Sequence, residues 1–294
     1  MCTLLSLFAA LQLVLGIGAG PTATQIAKAQ PIPQRIVSLA PSVTEVLFAL
    51  GLGKHVVGVT NYCRYPPEAT RVAKIGGYIT PNYEAIAGLR PDLVILLTEH
   101  EEVRPRLAAL GVNVLQVDHS SLAGVLDSIL TIGKYGGADT EAKALNAELQ
   151  SELKEVARIV ATRPRPRVTI CLGRSGESTF RSMHAAGPGG IYHDLIVYAG
   201  GTNVIPAGPV LHPSLSAEGL LHLNPDVIVE FAPYARDTEA LRAGWRSLSS
   251  LEAVRAGRVY EFTDDFLPVP GPRLVRFVAD LARAFHPDAP WRAR

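Results

Sequence analysis

Two tyrosines flank an arginine in Asn61-Tyr62-Cys63-Arg64-Tyr65-Pro66-Pro67, a polar, aromatic loop that directly follows the β-rich run Val56–Val59. Flat rings presented from a loop suit a large, partly apolar ligand. The plain alternative is a Pro-Pro turn with Tyr65 packed underneath. Tyr78, behind Gly76-Gly77, and Asp264-Asp265-Phe266 extend the same chemistry: rings to stack and carboxylates to accept hydrogen bonds. Glu84 and Glu218 are features of another kind. Each follows a good helix N-cap, Asn82 or Ser216, at the second helical position. A carboxylate there is favoured by the helix dipole, by about 0.3–1 kcal/mol. The sharper reading is one acidic knob per half of the chain, offered to a symmetric partner.

Other constellations point less firmly. Gly173-Arg-Ser-Gly-Glu177 follows a strand but lacks the last glycine of a nucleophile elbow. Gly187-Pro-Gly-Gly190 opens a helix and is able to cradle an anion, yet it is no dinucleotide fingerprint. His100 and His119 end neighbouring strands beside Glu99 and Asp118, a set that suits a transition metal without the spacing of one. We therefore expect no catalytic residue and no resident metal.

Alternating elements must carry these residues. From Arg35 the chain alternates short apolar runs with helical patterns: strands at Arg35–Leu39, Val56–Val59, Asp92–Leu97 and Asn113–Val117, and helices at Ser42–Leu50, Asn82–Leu89 and Val103–Leu110. Near-continuous apolar strands between helices mean a parallel α/β architecture. Thr140–Ala161 breaks the alternation. Its apolar residues recur every three or four positions, which is one long amphipathic helix of about 33 Å. Alternation then restarts at Arg167–Leu172. The second half echoes the first: Glu84-Ala-Ile-Ala-Gly-Leu-Arg-Pro-Asp-Leu-Val-Ile95 matches Glu218-Gly-Leu-Leu-His-Leu-Asn-Pro-Asp-Val-Ile-Val229, 134 residues on. Two copies around one long helix predict two lobes with a cleft between them. The strand ends that would line it are Ala40-Pro41-Ser42, Thr60–Tyr65, Thr98–His100, Asp118-His119, Gly173–Phe180 and Thr263–Pro268.

The 294 residues carry 28 basic and 27 acidic side chains, a net charge of +1 that argues against nucleic-acid binding by bulk charge. Three cysteines exclude a disulfide scaffold. Leu4–Ile17 is an apolar run too short to span a bilayer and reads as a signal peptide, with Ala27-Lys28-Ala29 a candidate cleavage site. Cys2 precedes that run, so we expect a soluble exported protein without a lipobox. Cys63 and Cys171 lie in different halves and are expected to stay separate.

Arg35-Ile-Val-Ser-Leu-Ala-Pro-Ser-Val-Thr-Glu45, Val57–Pro67, Glu84–Val94 and Asp194–Val204 together resemble the helical-backbone (class III) substrate-binding proteins of ABC importers, over roughly Arg35–His286. The resemblance implies two similar Rossmann-like α/β lobes joined by one long rigid α-helix, with the ligand between them. The parts are then a leader at 1–29, lobes at 35–137 and 166–287, and the linking helix at 138–163. The family carries cobalamin, haem or ferric siderophores, and the likeness is strongest to the cobalamin carriers. It implies a periplasmic monomer that binds a corrinoid through Tyr62, Tyr78, Asp265 and Phe266, to which the strand-end loops add Pro41, Ser42 and Phe180 as expected ligand contacts. It further implies that Glu84 and Glu218 meet arginines of the permease dimer, and that there is no cofactor beyond the transported ligand. For haem, Tyr62, Tyr65 or a histidine would ligate iron. For an anionic siderophore, Arg64, Arg174, Arg181 or Arg273 should line the cleft.

Overall fold

The protein is described by a computed structural model that covers residues 31–175, 179–233, 235 and 237–291. The leader reading and Gly176-Glu177 fall outside the described residues. The apolar runs of the first half become β1 (Ile36–Ser38), β2 (Val56–Val59), β3 (Leu93–Leu97) and β4 (Val114–Val117). They alternate with α1 (Pro41–Ala49), α2 (Tyr83–Gly88) and α3 (Val103–Ala109). The four strands form one parallel sheet in the order β2-β1-β3-β4. All five residues of β3 are buried, as a central strand covered on both faces requires.

Two helices follow in succession, α4 (Leu122–Gly136) and α5 (Asp139–Val160). The first of them is not apparent in the sequence. Gly137, at φ 73°, ends α4 in the left-handed conformation and turns the chain into α5. The second sheet contains β5 (Arg167–Ser175), β6 (Ser182–Ala185), β7 (Thr202–Asn203), β8 (Ser214–Ser216), β9 (Val227–Phe231) and β10 (Val259–Phe262). Its helices are α6 (Ile191–Tyr198), α7 (Ala217–Leu223), α8 (Thr238–Arg246), α9 (Glu252–Arg255) and the long α10 (Pro272–Phe285). Strands β10, β9 and β5 are parallel, whereas β6 runs antiparallel to β5 and β8. The strand β5 continues through Ser175, so Gly173-Arg174-Ser175 is ladder and not the sharp strand-to-helix turn that a nucleophile elbow needs.

The lobes share a helical layer. The stripe Ala142, Leu149, Leu153, Val156 and Val160 of α5 is buried in a core that also takes in Ile129 and Ile132 of α4 and Leu274, Phe277, Val278 and Leu281 of α10. Buried Asn146 donates to the Leu126 carbonyl at 2.6 Å, and Arg276 of α10 meets Glu148 and Glu152 of α5. Among the described residues no helix is long and apolar enough to cross a membrane. Helices α4 and α5 approach closely because position 133 has no side chain: a Cβ there would lie 2.2 Å from that of Ala142. Gly133→Val should therefore force the two helices apart and cost about 1–3 kcal/mol, measured as a lower midpoint in urea unfolding.

Candidate functional site

A cavity of about 1040 Å³ opens between the carboxyl ends of the two sheets. One wall carries Pro41, Ser42, Tyr62, Tyr65, Tyr78 and Ile79; the facing wall carries Ile191, Tyr192, Leu211, His212 and the loop Pro268–Pro270. That volume is at the upper end for drug-sized ligands, and so suits a bulkier one. Tyr62 is 59% exposed and Ile79 63% exposed, which places two apolar surfaces at the mouth where a ligand would cover them.

Each wall is fixed by hydrogen bonds traceable to single residues. The Leu97 amide donates to His100 Nδ1 at 3.0 Å, so the ring proton sits on Nε2 and is donated to the Tyr78 carbonyl at 3.0 Å. The Tyr78 hydroxyl in turn donates to Glu99. Burial and that carboxylate push the phenol of Tyr78 above its ordinary value. His119 is buried below. Ser128 Oγ donates to the Val125 carbonyl at 2.7 Å and therefore accepts from His119 Nε2–H, also at 2.7 Å. This leaves His119 Nδ1 to accept the Ser42 hydroxyl at 2.8 Å. Burial pushes His119 down to about 4, which makes it too weak a base to activate Ser42, and its second nitrogen meets a serine rather than an orienting carboxylate. Both histidines thus use both ring nitrogens internally, and among the described residues no group of three His, Cys, Asp or Glu comes together to hold a metal. The metal reading of His100 and His119 is set aside on that geometry.

Charge is distributed unevenly around the cavity. Arg273, from α10, donates to Glu45 at 2.5 and 3.2 Å and to Asp265 at 2.8 Å, and its guanidinium lies 3.8 Å from the centre of the Tyr65 ring. Burial pushes the Glu45 carboxyl up, against the lowering pull of Arg273. Arg273 is shared by Glu45 and Asp265, two carboxylates on one guanidinium, and the rest of the lining carries Glu99 and Glu101 against Arg64. The cavity is acidic.

Of the residues expected at the ligand, Pro41, Ser42, Tyr62, Tyr78 and Asp265 line the cavity. Phe180 does not. It is buried against Trp245 at 5.1 Å within the second lobe's own core. Phe266 stands behind Arg273 and packs on Phe277 at 5.6 Å. Arg174 is also internal, paired with buried Glu230 at 2.8 Å, and Arg181 is outside the lining. Gly187 and Gly190 allow a close approach of Leu211: a Cβ on Gly187 would meet the Leu211 carbonyl at 2.6 Å, and Leu211 and His212 line the wall there. Glu45, Tyr192, Leu211 and His212 also line the cavity, and nothing local in the sequence distinguishes them from ordinary core and loop residues. Cys63 and Cys171 are each buried and unpaired by disulfide. The N-caps stand as expected: Asn82 accepts from the Ala85 amide at 3.0 Å and Ser216 from that of Gly219 at 3.2 Å, with Glu84 and Glu218 in the first turns.

Residues 36–266 match the family model described as periplasmic binding protein. The chain belongs to that family. The binding protein is 32% identical over 266 residues to an ABC transporter substrate-binding lipoprotein of Bacillus subtilis, covering 87% of this chain and 81% of the relative. It is also 32% identical to a cobalamin-binding protein of Halobacterium salinarum, over 86% of this chain and 70% of the relative. Among solved structures it is similar to the vitamin B12 binding protein of Vibrio cholerae, with a TM-score of 0.75 at 25% identity, covering 87% of this chain and 98% of that one. A haem binding protein of Pseudomonas aeruginosa is equally similar, with a TM-score of 0.76 at 26% identity, covering 89% and 96%. The two-lobe class III architecture inferred from the sequence motifs is the architecture found.

The buried, neutral His119 makes stability depend on pH. Its folded-state value lies below the unfolded one, so the unfolded chain gains the proton first as pH falls. Stability should drop by roughly 3 kcal/mol from about pH 6.5 to the folded value of about 4. Urea titrations across that window should show the slope, and His119→Gln should flatten it.

Proposed function

We propose that this binding protein carries a corrinoid, cobalamin or a close analogue, from outside the cytoplasmic membrane to the permease dimer of an ABC importer. The observation that carries the reading is the acidic, aromatic cavity. An anionic siderophore would meet Glu99 and Glu101 with only Arg64 left to attract it, since Arg273 is already matched by Glu45 and Asp265 and Arg174 is internal. A corrin bears neutral amides around a cationic centre, and gains from stacking and apolar burial against Tyr62, Tyr78 and Leu211. Preformed walls avoid much of the ordering cost. In the same reading residues 1–29 are the export leader, and 35–137 and 166–287 are the lobes joined by 138–163. The protein acts as a monomer, and no step requires a catalytic group.

A haem is the second reading, favoured by His212. Its ring lines the wall beside Tyr192, and burial lowers its proton affinity, which leaves a neutral imidazole able to ligate iron. Calorimetric titration separates the two. Cyanocobalamin should bind tightly, and Tyr62→Ala should weaken that binding by about 1–3 kcal/mol. Tight uptake of haemin with no response to cyanocobalamin would reverse the assignment.

Glu84 and Glu218 are the proposed contacts with cationic side chains of the permease. They would orient the complex more than tighten it. Glu84→Lys with Glu218→Lys should abolish uptake in a transport assay while ligand affinity stays unchanged; lost ligand affinity would show that the two residues belong to the cavity instead.

A further inference from the structure

The helices that carry Glu84 and Glu218 have six and seven residues. Helices this short do not hold themselves together in water, so their placement depends on tertiary ties. Both are tied by the same device, repeated 134 residues apart. In the first lobe Arg35 donates from Nε and Nη2 to the Leu89 carbonyl at 2.9 and 2.7 Å, and from Nε to the Arg90 carbonyl at 3.2 Å. In the second, Arg167 donates to the Leu223 carbonyl at 2.7 Å and the Asn224 carbonyl at 2.8 Å. These are the carbonyls at the end of each acidic helix, left without partners within it.

The match continues past the helix end. Arg90 (φ 46°) and Asn224 (φ 41°) both enter the left-handed region, and they are the non-glycine residues that do so among those described. Each is followed by Pro-Asp. Asp92 accepts the backbone amides of Gln34 and Arg35 at 2.7 and 2.9 Å, and Asp226 accepts that of Arg167 at 2.8 Å. Guanidinium, left-handed turn and carboxylate thus lock the foot of each acidic helix to the start of a sheet strand, at Arg35 just before β1 and at Arg167, the first residue of β5. The parallel strands keep one order in both lobes, β2-β1-β3-β4 and β7-β5-β9-β10, and the second lobe differs by the added antiparallel β6 and β8. The clamp recurs within that shared frame, at the carboxyl end of each acidic helix.

We infer that Arg35 and Arg167 are positioning residues that hold the two acidic helices at matched heights, so that Glu84 and Glu218 reach a partner as a pair of fixed separation. The inference rests on the reading of those glutamates as the permease contacts. Arg165 supplies a control. It caps α6 in the same manner, donating to the Val197 and Gly201 carbonyls at 3.1 and 2.7 Å, but α6 carries no docking glutamate.

The test measures the separation directly. Nitroxide labels at Glu84→Cys and Glu218→Cys, in the full chain with Cys2→Ser, report the distance distribution by pulsed electron resonance; Cys63 and Cys171 are buried. A narrow distribution is expected in the parent and a broadened, shifted one in Arg35→Gln/Arg167→Gln. Arg165→Gln should leave it narrow, and cyanocobalamin and haemin titrations should be the same in all three. An unchanged distribution in the double variant, even with a lowered melting temperature, would overturn the inference, as would equal broadening in the Arg165 variant. If broadening occurs but Glu84→Lys/Glu218→Lys leaves uptake intact, the clamps stand and the docking assignment fails.

Discussion

One guanidinium ties the molecule together. Arg273 stands at the start of the last helix, α10, and reaches Glu45 on the first, α1, 228 residues away in sequence. Glu45 is almost wholly buried, and a buried carboxylate without a partner is costly enough to forbid the arrangement. The pair therefore requires the two lobes to meet where they do. Removing one partner of such a pair typically costs about 3–5 kcal/mol. Arg273 also stacks on Tyr65 from the first lobe and faces Phe266 from the second, so one side chain sets the cavity floor from both sides.

That tie decides the chemistry of the cavity as well as its shape. An arginine facing a ligand pocket ordinarily advertises an anion. Here it is matched by Glu45 and Asp265, and its charge is not offered to a guest. What remains exposed are Glu99 and Glu101 on one side and rings on both. The helical layer of α4, α5 and α10 lies behind the cavity and packs across both lobes, so the walls are held by a shared core and not by a flexible strand crossover. A second strap, from the Leu122 amide to Asp194 at 2.9 Å, joins the first lobe's α4 to the second lobe's α6. Two ties between the lobes, one of them in the cavity lining, favour a preformed site over one assembled by closure.

Much of this was legible in the residues themselves. The parallel strands announced themselves as apolar runs, the linker as a three-four stripe, and the acidic helices by their caps and their repeat. Those signals are local. Helix α4 was not legible, because Gly124, Gly133 and Gly136 weaken its propensity and close packing on α5 overrides that weakness. The two phenylalanines misled for a related reason. An aromatic residue near a strand end can face the cleft or the core, and Phe180 and Phe266 found Trp245 and Phe277 behind them. The matching of Arg273 was beyond reach, since no local pattern relates positions 45 and 273.

A corrin held in the acidic interlobe cavity would colour the protein. The absorption spectrum of the protein isolated from its native host tests for it most directly, because a carrier with a tight site retains some of its guest. The visible bands of a corrinoid, released on unfolding, are expected. The Soret band of a haem, or the charge-transfer band of a ferric chelate, would contradict a corrin guest.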